Sequence, residues 1–390
     1  NERRNEGYRM QTKLKILFPD WKNFGVEDIK EAFEKMGHEV IIYKTEPKNY
    51  RIDPRFKSEL KKYIRSNGIT LMFTSNYFPV VADACHEVNI PYISWCYDSP
   101  LVLTFSKTVF YPTNFIFIFD SKMVADLQNL GVKQVFYMPM AVNPDRLNKL
   151  HTTSEQRKLI DADISFVGSL YSEKHTLYDR MTDLDDYTKG YIDGVMKAQE
   201  QLYGVSIVED ALTPEIIDAM YQKMPINIHE DDLETKSYVY ANYFINRKIT
   251  QTERPILLKE ISEALPQMEA QVGRKLKPLK LYTHNPTPFL PKVENMGTIH
   301  YMKEMPLVFR HSKINLNITL RSIINGIPLR AIDIMGAGGF LLTNYQNDFQ
   351  YHFEDGKDYV SFYSKEDMLN KIAYYLEHED ERKQIAHNGQ

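Results

Sequence analysis

The sequence is poor in cysteine, in long apolar runs and in net charge. Its two cysteines, Cys85 and Cys96, cannot build a disulfide framework, and no Cys-x-x-Cys pair offers a metal site. Such usage fits a reducing compartment, so a cytoplasmic protein is expected. No run of about 18 apolar residues exists for a membrane span, and the polar start NERRNEGYRMQTK lacks the apolar centre of a signal peptide. The nine residues before Met10 are expected to be a leader or an appended segment and are left out of the fold reading. A formal net charge of −4 argues against a nucleic-acid binder that relies on overall basicity. Low-complexity tracts and repeats of fixed period are missing as well.

What is present has the balance of a globular protein: 390 residues, 43% apolar and 26% charged, a length that favours two or three domains over one. LKILF (14–18) reads as a buried strand, VEDIKEAFEKMGHEV as a helix ended by Gly37, and VIIY (40–43) as the next strand. The alternation continues through a charged helix at 55–66 and the segments ITLMFTS, VVADACHEV, YISWCY, FIFIFD, KMVADLQNLG and QVFYMP. Strands alternating with helices make a parallel sheet covered on both faces. An N-terminal Rossmann-like domain is therefore expected over 14–150.

HTTSEQRKLIDAD (151–163) is expected to be a linker. ISFVGSLYSEKH then opens a second Rossmann-like domain over 160–390, in which 172–270, rich in Met, Tyr and charge, is a helical elaboration. The alternation resumes with LKLYTH (279–284), GTIHY (297–301), KINLNIT (313–319), a helix at 328–337, FLLTN and a last helix at 364–379. Two α/β halves predict a cleft, because open α/β sheets bind ligands beyond the carboxyl ends of their strands.

The stretch NGIPLRAIDIMGAGGFLLTN (325–344) concentrates the chemistry. Asn325-Gly326 allows tight backbone, and Pro328 suits the first helical position. Arg321 upstream and Arg330 in the first turn make the helix start an anion site; a cation in that turn opposes the helix dipole unless a diphosphate lies between. Asp333, three residues past Arg330, can accept hydroxyl hydrogen bonds from a ribose diol, or the two can form an i,i+3 ion pair. Gly336, Gly338 and Gly339 read as a helix cap and strand start. Asp98, in WCYDSP, is a base or acceptor contact, or the first residue of a turn. Asp120 is a ligand contact or a helix cap. His300 and His311 read as structural, and HEDDLE (229–234) as a solvated charge run.

Spaced as Asn325-GIPLRAI-Asp333, the stretch resembles the acid-x7-acid motif of retaining GT-B glycosyltransferases, with Asn325 in place of the first acid and the shorter Asp333 as the second. The string KINLNITLRSIINGIPLRAIDIMGAGGFLLTNYQNDFQYHFEDGKDYVSF resembles the glycosyl transferase group 1-like C-terminal domain of the CgeB-like, spore-maturation-type glycosyltransferase family. DISFVGSLYSEKHTLYDRM and YISWCYDSPL are similar to segments of that family's second and first domains.

The resemblance implies a GT-B fold: two Rossmann-like α/β domains facing across a cleft, with the helical insertion in the C-terminal one. It implies transfer of a hexosyl or N-acetylhexosaminyl group from a nucleotide sugar, a UDP-sugar first, with retention and without a metal or other cofactor. Asp161-Ala162-Asp163 matches the Asp-x-Asp pattern of metal-dependent glycosyltransferases, but it precedes a strand rather than following one and is set aside. By the resemblance Asp333 binds ribose, Asn325 faces the donor sugar, and Gly168, Ser169 and Lys174 approach the diphosphate with Arg321 and Arg330. Gly326, Ile327 and Pro328 line the donor, and Tyr282, His284 and Asn285 frame the base. The expected partners are the nucleotide sugar and a glycan, protein or small-molecule acceptor. The alternatives are a nucleotide-sugar epimerase of the same fold, or a catalytically silent nucleotide-sugar or glycan-binding protein, since Asn325 replaces an acid.

Overall fold

Short apolar runs become strands where both of their faces can be buried. In the computed structural model, which describes residues 13–21, 25–172, 176–229 and 232–390, such runs build two sheets in two units. The first unit comprises the described residues within Asn1–Ile118, Met123–Met138 and Asp231–Leu233. Its strands are β1 (Lys15–Pro19), β2 (Glu39–Tyr43), β3 (Leu71–Ser75), β4 (Tyr92–Cys96), β5 (Asn114–Ile118) and β6 (Val135–Tyr137). They pair in parallel in the order β2-β1-β3-β4-β5-β6. The crossovers carry α1 (Val26–Lys35), α2 (Pro54–Ser66), α3 (Pro79–Val88) and α4 (Ser121–Asn129).

Local chemistry sets these boundaries. Pro54 opens α2, and the Asp53 carboxylate accepts the Phe56 N–H at 2.9 Å as its cap. Gly37 follows α1 with a φ of 90°, a conformation that glycine adopts without strain. On one face of the sheet Ile16, Phe18, Leu71 and Phe73 form the core, with the two phenylalanine rings edge to face at 5.0 Å. Cys85 and Cys96 are buried and unbridged.

The second unit comprises Phe119–Lys122, the described residues of Pro139–Glu230, and Glu234–Gln390. After α5 (Pro144–Asn148) and α6 (Ser154–Ile160) comes β7 (Ala162–Val167), followed by the helices α7 (Asp186–Glu200), α8 (Val208–Ala211), α9 (Pro214–Lys223), α10 (Lys236–Val239) and α11 (Asn246–Val272). A π-helical turn, Tyr240–Ile245, joins the last two. Then come β8 (Lys280–Tyr282), β9 (Glu294–Asn295), α12 (Met305–His311), β10 (Ser312–Asn317), α13 (Leu329–Gly336), β11 (Leu341–Asn344), β12 (Val360–Phe362), α14 (Lys365–Glu377) and α15 (Glu379–Gly389). The sheet is again parallel, in the order β12-β11-β10-β7-β8-β9.

This unit has two cores. Leu257, Leu258 and Ile261 of α11 and Met368 and Ile372 of α14 pack on the sheet residues Ile164, Phe166, Ile314 and Leu342. A separate cluster around Ile192, Ile216, Met220, Tyr240, Phe244 and Ile249 holds the helical insertion together. The α/β class and the helical character of 172–270 are thus as expected.

Several local expectations are corrected. The segment 151–163 is not an open linker: Thr153 and Gln156 close a reciprocal capping box that starts α6, and β7 begins at Ala162. GTIHY is not a strand; the sheet edge there is the two-residue β9 before it. In HEDDLE, Glu230 and Asp231 lie outside the described residues. Asp232 is not solvated but sits in an ion pair with Arg51 at 2.6 Å, its side chain 9% exposed. Pro328 is the residue before α13 rather than its first helical one, with an extended ψ of 148°.

Candidate functional site

In the second unit, two strands (β8, β9) run outward on one side of β7 and three (β10, β11, β12) on the other. The order reverses between β7 and β10, the arrangement of dinucleotide-binding sheets, and the crevice for a ligand lies beyond the carboxyl ends of those two strands. The loops leaving them are Gly168-Ser169 and Ile318-Thr319.

One side chain ties those loops together. Arg254 of α11 donates Nη1 to the Ser169 carbonyl at 2.5 Å, and Nε and Nη2 to the Ile318 carbonyl at 3.1 and 2.5 Å. It is buried, its guanidinium facing the rings of Tyr171 and Phe166. No carboxylate accepts a hydrogen bond from it among the described residues, and burial pulls its pKa below the usual arginine value. A guanidinium stays charged even so. The reversal point therefore contains a buried cation held by backbone oxygens.

The neighbouring polar side chains form an ordered lattice. Asn285 Oδ1 accepts the Leu170 N–H at 2.8 Å and hydroxyls of Ser169 at 3.3 Å and Thr283 at 3.1 Å, which fixes the loop after β7. Gly168 donates its N–H to the Tyr282 carbonyl at 3.0 Å. Tyr282 is buried with its hydroxyl unpartnered, and burial pushes its pKa up to about 12. His284 is exposed. Asn344, at the end of β11, accepts the Thr319 N–H at 2.7 Å. Lys174 lies outside the described residues.

Asn325 has a different neighbourhood. Its Nδ2 donates to Ser121 Oγ at 3.0 Å, and its Oδ1 accepts from Asn347 Nδ2 at 2.7 Å. Ser121 Oγ itself donates to Asp348 at 2.5 Å, so it faces Asn325 with a lone pair. A carboxylate at 325 would set acceptor against acceptor; an amide satisfies both neighbours. That gives the missing acid a physical reason. Asp120, buried at 1% exposure, accepts the backbone N–H groups of Ile324 at 3.0 Å, Asn325 at 3.3 Å and Lys122 at 3.0 Å. Burial raises the Asp348 pKa against the lowering by Ser121's two donors. Gly326 is required here, since a Cβ would come within 2.9 Å of the Asp120 backbone. Ile327 and Pro328 are buried beside it.

Asp333 sits on α13 at 5% exposure, accepting the Tyr301 hydroxyl at 3.0 Å and standing 3.5 Å from Arg330 Nη1. The i,i+3 pair exists. Arg330 also meets the Met305 sulfur and the Phe309 ring. Arg321 is corrected more firmly. Its guanidinium grips the Glu253 carboxylate at 2.8 and 2.5 Å, donates to the carbonyls of Leu202 and Glu200, and covers the Tyr203 ring at 4.0 Å. With four of its five N–H groups engaged and its charge met by Glu253, it pins the insertion to the loop after β10.

Asp98 belongs to the first unit. It is exposed, and its carboxylate accepts from Asn76 Nδ2 at 2.7 Å while Asn76 Oδ1 accepts the Asp98 and Tyr97 N–H groups. This is the turn reading of WCYDSP. Among the described residues no three His, Cys, Asp or Glu side chains converge as metal ligands, and no helix is long and apolar enough to cross a membrane.

Residues 254–390 match the family model described as glycosyl transferase-like, a segment that begins at Arg254. No curated protein matches the chain by sequence. Among solved structures, Anabaena HepE in complex with UDP aligns at 10% identity and a TM-score of 0.53, over 97% of this chain and 94% of that one. Sucrose-phosphate synthase from Thermosynechococcus elongatus aligns at 11% identity and 0.54, over 97% and 93%. A candidate UDP-N-acetylglucosamine 2-epimerase from Listeria monocytogenes aligns at 9% identity and 0.50, over 97% and 93%. The likeness is one of fold: two six-stranded parallel sheets with flanking helices, the GT-B arrangement.

Proposed function

We propose that the chain is a glycosyltransferase that takes a sugar from a nucleotide-sugar donor, a UDP-sugar first, to a glycan, protein or small-molecule acceptor. The observation that carries this reading is the buried Arg254 cation between the Ser169 and Ile318 carbonyls, at the strand-order reversal of the glycosyl transferase-like segment. An anionic diphosphate beyond those strand ends would meet that charge, together with Lys174, the basic residue that the resemblance assigns to the same group. Cations held in place stabilise the negative charge that grows on a leaving diphosphate, commonly the largest catalytic contribution in such sites.

In this reading Asp333 receives the ribose diol in exchange for Tyr301, and Asn325 with Asp120 holds the loop ahead of α13 rather than acting on the sugar. Asp98 is the acceptor-side candidate of the first unit. The reaction proceeds with retention, through front-side displacement in which the leaving phosphate takes the acceptor's proton, in the cytoplasm and without a metal. The epimerase reading has the support of the Listeria neighbour and predicts a different product.

The deciding experiment incubates the chain with UDP-glucose and UDP-N-acetylglucosamine and follows the sugar by NMR. Free or transferred sugar of unchanged anomeric configuration supports the proposal. An epimerised UDP-sugar supports the epimerase, and binding without turnover supports the silent protein.

A further inference from the structure

The amino ends of β7, β10 and β11 lie at the edge of the sheet opposite the reversal-point loops, about 20 Å away along β10. There the second unit holds an open cavity of about 340 Å³, within the range of small-ligand sites. Arg157 of α6, Arg310 of α12, Lys313 of β10, and Arg382 and Lys383 of α15 line it, against the two carboxylates Asp161 and Glu379. Those acids do not balance the cations. Asp161 pairs with Lys277, which lies outside the lining, and Glu379 takes Lys383 at 2.7 Å while standing 3.9 Å from Arg382.

The arginines are held ready. Arg310 donates to the carbonyls of Leu147 at 2.9 Å, Leu150 at 2.8 Å and Ala337 at 3.3 Å, which fixes its position and leaves its charge unpaired by any acid among the described residues. Arg157 is exposed, and its side chain has no hydrogen-bond or ion-pair partner among the described residues. Arg382 is 6% exposed, and its Nε has no hydrogen-bond partner. Such a buried, unmet donor costs free energy that an acceptor would recover. His311, hydrogen-bonded to Thr152 at 2.8 Å, shares the lining. Burial and the charges of Arg157 and Arg310, opposed by Asp161, hold its pKa below the usual histidine value.

We infer that this cavity is a second ligand site, which takes a small phosphate ester, the phosphate seated among Arg157, Arg310 and Arg382 and the esterified body in the remaining volume. Planar guanidinium groups suit phosphate oxygens, which they can hold in pairs. The site stands apart from the donor reading and does not depend on it.

The test follows the ring resonances of His311 and of His387, which also lines the cavity, while glucose 6-phosphate, AMP or inorganic phosphate is titrated into the parent chain and into Arg157→Glu. Arg157 is exposed and unpartnered, so the variant should fold as the parent does. One of the two esters should move both resonances saturably and bind more tightly than inorganic phosphate, and whichever does so identifies the body as sugar or nucleoside. Arg157→Glu should weaken that binding by roughly tenfold or more. No saturable shift from any probe, equal affinity for inorganic phosphate and both esters, or unchanged affinity in Arg157→Glu would each overturn the inference.

Discussion

Arg321 and Glu253 form a buried, two-pronged ion pair, with side chains 5% and 7% exposed and Nη2–Oε1 at 2.5 Å. Removing one partner strands the other charge away from water, a loss of about 3–5 kcal/mol. Arg321→Met should lower the unfolding midpoint in urea accordingly, and Glu253→Met should do the same. UDP and uridine should lose affinity equally, if either does. A selective loss of UDP binding with unchanged stability would return Arg321 to the diphosphate.

Asp333 offers a finer test. If its carboxylate receives a ribose diol, Asp333→Asn should cost charge-assisted hydrogen bonds of about 1.5–3 kcal/mol, on the order of 10- to 150-fold in UDP affinity. Tyr301→Phe, which removes the hydroxyl that occupies Oδ1 at 3.0 Å, should not weaken UDP. The parent should prefer UDP to 2′,3′-dideoxy-UDP. If it treats them alike, Asp333 does not read the ribose and serves structure beside Arg330 and Tyr301.

The alternation of strands and helices was legible because buried parallel strands are continuous apolar runs and their helices end at glycines such as Gly37. The motif stretch was legible too, but not the roles of its residues. Arg321 stood out as a cation near a helix start, yet its partner Glu253 lies 68 residues away, and sequence spacing says nothing of such pairs. Arg254 was missed although a signal existed: it occupies the apolar stripe of α11, three, four and seven residues before Leu257, Leu258 and Ile261. A lone arginine on such a stripe must find oxygen partners inside. Its partners come from loops 64 and 85 residues distant. The linker expectation failed because polar composition hid the capping pair Thr153 and Gln156.

Gly326 predicts a steric failure. A Cβ there would stand 2.8 Å from the Phe119 ring and 2.9 Å from the Asp120 Cα, and backbone cannot yield as a flexible side-chain end can. Gly326→Ala should cost about 1–3 kcal/mol, the range of overpacked interiors, read from urea unfolding. A neutral result would mean that the loop ahead of α13 moves freely, contrary to the clamp that Asp120 makes on Ile324 and Asn325.

Asp348 predicts a pH effect. Burial raises its folded pKa above the usual 3.8, against the opposing donors of Ser121. As pH rises from the unfolded value through the raised folded value, the native state keeps its proton longer than the unfolded chain, so stability falls. Asp348→Asn removes that fall. Unfolding free energies of parent and variant, compared at about pH 4.5 and about pH 7, should shift toward the variant at the higher pH. A difference that stays constant with pH would contradict the assignment.

The central claim is that the second unit receives a nucleoside diphosphate where Arg254 joins the loops after β7 and β10. Calorimetric titration of the parent chain with UDP and with uridine tests it most directly, because the two differ only in the group that the buried cation should recognise. UDP should bind at least about tenfold more tightly, an attraction of about 1.4 kcal/mol between the buried charge and the diphosphate, with a gap that narrows as salt is raised. Equal affinities, or no binding of UDP at all, would contradict it.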